Sequence, residues 1–68
     1  MTVRKVLDVV NDNVLICLTN NENENEYLRF INGEIKFLDI RLYLNFKVVS
    51  IRPLHGNEIE IEYKKESK

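Results

Sequence analysis

Residues 27–38, YLRFINGEIKFL, carry the strongest structural signal in this 68-residue chain. Asn32-Gly33 is the pair that a two-residue type I′ turn favours, because both central positions need positive φ. A turn there sets Phe30 against Ile35 and Leu28 against Phe37 on one face. Arg29 then meets Lys36, and Ile31 meets Glu34, on the other. One register satisfies both the turn and the hydrophobic alternation, so the stretch reads as a β-hairpin.

Upstream lies NENENE, residues 21–26. In an extended chain Glu22, Glu24 and Glu26 share a face and could attract a divalent cation. The spaced Asp/Asn ligands, central Gly and distant Glu of a calcium loop are missing. The stretch reads instead as a polar loop joining two hairpins, held extended by self-repulsion. Before it, VRKVLDVV and VLICLT flank the turn formers NDN at 11–13. Two β-branched runs around such a cluster predict another hairpin, turning at Asp12-Asn13. Its second strand is apolar on both faces, which suits a curled sheet or small barrel.

Downstream, DIRLYLNF (39–46) would make an overlong strand if it continued the hairpin. It reads better as a helical or 3₁₀ turn with Asp39 as N-cap, Ile40, Tyr43 and Leu44 on one side, and Asn45 ending it. KVVSIRPLHGNEIEIEYK (47–64) predicts a last hairpin. A three-residue loop, Leu54-His55-Gly56, puts Gly56 in the left-handed position that such loops require. Ile51 is then set against Ile59 and Val49 against Ile61, with Arg52 meeting Glu58 and Ser50 meeting Glu60 on the other face. Pro53 falls at a strand end, where a missing N–H is tolerated.

The expected fold is therefore all-β with one short helical turn, about five to six strands in a strongly bent antiparallel sheet or open barrel. In topology this resembles an SH3-like barrel. Residues 1–64 form one small domain, and 65–68 read as a charged, frayed tail.

Composition narrows the function. Ala, the best helix former, is absent, and so are Gln and Trp. Ten basic and eleven acidic residues give a net charge of −1, a weak draw for nucleic acid or anionic membrane. Cys17 is the only cysteine, and in VLICL it reads as a small apolar residue. One Cys and one His cannot build a structural zinc site, so no metal or other cofactor is expected. No apolar run reaches the ~18–20 residues that span a bilayer. A cytoplasmic location follows as an expectation.

Candidate residues divide into chemistry and contact. His55 sits at a predicted loop tip, and Ser50 and Ser67 lie outside any nucleophile motif. Neither glycine belongs to a phosphate-cradling loop, and a chain this small has little room for a pocket of the usual ~300 Å³ or more. No catalytic residue is expected, and the chain reads as non-enzymatic. Tyr27, Arg29, Lys36, Arg41 and Tyr43 combine basic and aromatic character and form the candidate partner-binding surface. The leading expectation is a protein-binding module. Short, Ala-free, Asn/Ile/Lys-rich chains look similar to small accessory proteins of phages and mobile elements, which act on a host protein. A small nucleic-acid-binding β-barrel is the alternative. With no disulfide or metal staple, self-association into a dimer through residues 3–10 is also expected.

Overall fold

The first of the expected strands is a helix. The structure, a computed structural model, describes residues 1–37 and 39–65, and in it Val3–Val9 form α1. Thr2 is extended and caps the helix, its hydroxyl accepting from the Lys5 amide at 3.4 Å. The Val3 and Arg4 amides, which a first helical turn leaves without internal partners, donate to the Phe46 and Leu44 carbonyls. Val3, Val6 and Leu7, spaced i, i+3, i+4, are buried, while Arg4, Lys5 and Asp8 are exposed. That 3.6-residue period overrides the β preference of the valines, and it corrects the expected first hairpin.

Four strands follow: β1 (Leu15–Asn20), β2 (Asn23–Ile31), β3 (Lys47–Pro53) and β4 (Glu58–Lys64). They form one open sheet in the order β2-β1-β4-β3, with β1 and β4 parallel and the other neighbours antiparallel. The described residues thus make a small β-rich fold with a four-stranded mixed sheet and one short α-helix. The expected five to six strands and the barrel are not formed. Two of the expected strands are helical instead, and the parallel β1/β4 pair leaves β2 and β3 as separate edges.

Asn32-Gly33 is not a hairpin turn. It opens a 3₁₀ segment, Asn32–Phe37, and Gly56 is the only described residue with positive φ. Asn32 is buried, and its side-chain amide donates to the carbonyls of Leu7, Val10 and Asn11 at 3.1, 2.8 and 3.4 Å. The Leu7 and Val10 carbonyls are acceptors that the end of α1 leaves over, while Asn11 O also accepts the Val14 amide. The backbone adds Asn32 N–H to Val14 O and Gly33 N–H to Asp12 O at 2.9 and 2.7 Å. A Cβ on Gly33 would stand 2.9 Å from the Asp12 Cβ, so only glycine allows this approach.

The real partner of β2 is β1, with Ile16 opposite Phe30 and Leu18 opposite Leu28. The connection is the tight turn at Asn21 and Glu22, so most of NENENE lies in β2 and not in a free loop. The buried Asn20 accepts from the Glu22 amide and donates to Glu26, which fixes the turn.

The last hairpin forms as expected, with Gly56 at φ 67°. Its register differs: Ile51 faces Ile61, Arg52 faces Glu60 and Ser50 faces Glu62. The shift relative to the expected pairing is two residues, one full period of a strand, so every side chain keeps its face up to the irregularity at Val48/Ser50. Between these hairpins, residues 41–45 form turns, with Tyr43 N–H bonded to Ile40 O and Phe46 N–H to Tyr43 O. Ile40 is buried and Tyr43 and Leu44 are half-buried, on the side expected. Asp39 bonds Arg41 Nε at 3.3 Å through its carboxylate.

One sheet face carries the core. Ile16, Leu18, Phe30, Ile61 and Tyr63 cluster there with Val3, Val6 and Leu7 of α1 and with Ile40. The opposite face bears Leu15, Cys17 and Thr19 on β1, Tyr27, Arg29 and Ile31 on β2, and Glu58, Glu60 and Glu62 on β4. The expected frayed tail, 65–68, lies outside the described residues except for Lys65, whose ammonium is 2.9 Å from Glu26.

Candidate functional site

α1, the 3₁₀ segment and the 40–46 turn line an open groove of about 630 Å³. Leu7 comes from the helix, Ile35 from the 3₁₀ segment, and Ile40 and Leu44 from the 40–46 turn. They make an apolar floor. Arg4 and Asp8 rise from α1, Lys36 from the 3₁₀ segment, and Asp39 and Arg41 from the turn. Asp39 and Arg41 pair with each other at the rim, both largely in solvent. The expectation that so small a chain has little room for a pocket is revised by this open groove. Both segments are tied to the helix, the 3₁₀ segment by Asn32 at its end and the 40–46 turn by the Leu44 carbonyl at Arg4, and the groove lies between these attachments.

The five expected contact residues do not form one surface. Lys36 and Arg41 meet in the groove. Tyr27 and Arg29 lie on β2, on the sheet face opposite the core. Tyr43 is taken up by structure: its ring packs 5.9 Å from Phe46 and 5.6 Å from Tyr63, and Phe46 stacks on Tyr63 at 5.2 Å. Of the cations lining the groove, Arg4 is the one that the strand reading missed. With α1 read as a helix, it falls beside Asp8 at i, i+4, outside the Val3/Val6/Leu7 stripe.

The open sheet face is a polar network on a flat strand surface. Each β4 carboxylate there has a neighbour: Arg29 lies 3.2 Å from Glu58, and Ser50 donates to Glu62 at 2.9 Å. Glu60 is reached by Arg52 and by the Thr19 hydroxyl. Cys17 is half-buried in this face, and burial, then Glu60 and Glu58, push its thiol up from the usual range. That environment disfavours the thiolate and makes Cys17 a poor nucleophile. No group of three or more His, Cys, Asp and Glu side chains among the described residues could hold a metal ion.

His55 is exposed at the tip of the β3–β4 loop, beside Pro53 and Leu54. The Thr19 and Ser50 hydroxyls donate to Glu60 and Glu62 on the open sheet face. Among the described residues, the groove lining holds no Ser, Thr, Cys or His. Among the described residues no helix is long and apolar enough to cross a membrane. No protein family, curated protein or solved structure matches this chain.

Proposed function

We propose that this chain is a non-enzymatic protein-binding module, and that the groove between α1, the 3₁₀ segment and the 40–46 turn is its working surface. The carrying observation is an apolar floor of Leu7, Ile35, Ile40 and Leu44 beneath the cations Arg4, Lys36 and Arg41. An apolar floor with a few charged groups at its rim suits an apolar anchor held in register by charge. The rim carries three cations against Asp8 and Asp39. Arg41 is already paired with Asp39, so the apolar floor sets the preference: a segment of another protein that inserts an aliphatic or aromatic side chain between the rim charges. For a chain of this size and composition, a host protein bound by a phage or mobile-element accessory protein is the partner expected.

The test separates surfaces as well as partners. Arg4→Glu/Arg41→Glu reverses charge at exposed positions of the groove, and Arg52→Glu does so on the open sheet face. A partner captured by the wild type and by Arg52→Glu, but lost with the groove variant, supports the reading. A partner lost only with Arg52→Glu moves the site to the sheet. Retention of DNA or RNA instead, with affinity falling steeply as salt rises, replaces this reading with the nucleic-acid alternative.

A further inference from the structure

The two edges of the sheet are not equivalent. The β3 edge is guarded: Thr2 bridges Lys47, the Val48 amide donates to Met1 O, and Pro53 lies near its end. The β2 edge has no neighbour among the described residues, and it contains neither Pro nor Lys. Tyr27 and Ile31 stand on it 61% and 41% exposed.

The direction of the edge amides follows from the ladder. Asn32 N–H points inward to Val14 O, and Leu15 N–H points away from β2 to Asn57 O. Backbone groups alternate sides along a strand, so Leu28 and Phe30 turn theirs toward β1. Tyr27, Arg29 and Ile31 turn theirs outward.

We infer that β2 pairs antiparallel with β2 of a second copy, about a two-fold axis through Leu28. A two-fold normal to the sheet keeps each face on its own side, so the register can be read from the side chains. Centring on Arg29 opposes two like charges, and centring on Tyr27 sets Arg29 against Asn25 in place of a ring. Centring on Leu28 opposes Leu28 to itself on the core side. Tyr27 then faces the partner's Arg29 across a hydrogen-bonded pair, with the guanidinium in reach of the ring. This replaces the expected dimer through residues 3–10, whose apolar side chains Val3, Val6 and Leu7 are buried in the monomer. The inference is independent of the groove and of what the groove binds.

Amide hydrogen exchange and sedimentation equilibrium test it together. With rising concentration the mass should climb from 8.1 kDa toward the dimer value. The Tyr27, Arg29 and Ile31 amides should gain protection with concentration, while Leu28 and Phe30 stay protected throughout. Tyr27→Pro removes an outward N–H, so it should hold the chain at monomer mass without loss of β signal in circular dichroism. In a Cys17→Ser background, Leu28→Cys should cross-link to itself under a mild oxidant, because an opposed non-hydrogen-bonded pair brings Cα atoms to about 4.5 Å. Monomer mass up to millimolar concentration overturns the inference. So does a dimer indifferent to Tyr27→Pro, or a cross-link that forms at Arg29→Cys and not at Leu28→Cys.

Discussion

Asn32-Gly33 and His55-Gly56 look alike in the sequence: each is a polar residue and a glycine between apolar alternating runs. In the fold they differ. Gly56 has φ 67°, and a Cβ there would meet nothing within 4 Å. It serves a local turn. Gly33 has no positive φ, and a Cβ there would strike Asp12. It serves a long-range contact between the segment after α1 and the segment after β2. The same dipeptide signal thus answers a local demand at one site. At the other it answers the need of a helix end for donors, which Asn32 meets from 25 residues away in the case of Leu7.

Asn32→Leu should be the most damaging way to break that contrast. It removes the donor to Leu7 O and Val10 O, leaves Asn11 O with the Val14 amide alone, and keeps a side chain of similar size. Each buried polar group left unsatisfied costs about 1–3 kcal/mol, and partial access to water limits the sum. A loss of roughly 3 kcal/mol in urea denaturation is expected. An effect within the ~0.5 kcal/mol usual for surface positions would show that the amide is not what closes α1.

The glycines come next, and here the two sites should separate by mechanism. Gly33→Ala should cost about 2 kcal/mol, the scale of forcing extra volume into a packed contact. Gly56→Ala should cost about 1 kcal/mol, the penalty of a left-handed backbone for an L residue. Gly56→Asn should recover part of that loss, because Asn tolerates this conformation. Gly33→Asn should be at least as harmful as Gly33→Ala, because more atoms enter the space beside Asp12. Parallel rankings at the two sites, read from thermal or urea midpoints, would erase the distinction.

Much of the sheet was legible because its signals are local. Gly56 announced its turn, and alternating Ile59 and Ile61 announced the inner face of β4. The two-residue register error there left faces unchanged, which explains how a wrong pairing still gave the right faces. The helix was hidden by composition. Four valines among residues 3–10 suggest a strand, although Val3, Val6, Leu7 and Val10 keep helical spacing and no alternation of period two. The parallel β1/β4 pair joins Leu15 to Glu58 across most of the chain, and no local pattern encodes it. The groove followed the same logic. Lys36 was legible as a cation of an expected strand and Arg41 as one beside Tyr43 in the expected helical turn, but their meeting with Arg4 depends on the helix.

The smallest expected effect concerns NENENE, where one carboxylate is committed and another is not part of the same network. Glu26 accepts from Lys65, from Asn20 at 3.1 Å and from the Tyr63 hydroxyl at 3.1 Å. Lys65 first, then Asn20 and Tyr63, hold its carboxyl below the usual range, against a partial opposing effect of burial. Burial and Glu26 push Tyr63 far up, so the phenol keeps the proton it donates. A carboxyl that ionises more readily folded than unfolded stabilises the fold above its unfolded value, about 4.3 for Glu. That contribution fades as pH falls through the lowered folded value. Glu26→Gln should therefore lower the melting temperature modestly and evenly from about pH 6 upward, with the gap to wild type narrowing below about pH 4. Glu22→Gln alters an exposed side chain at the turn and should leave both the midpoint and its acid dependence unchanged. The same gap for Glu26→Gln at pH 3 and pH 7 would mean that the lost contacts do not depend on its charge. The clamp joining the β1–β2 turn to the end of β4 would then be an ordinary hydrogen-bonded one.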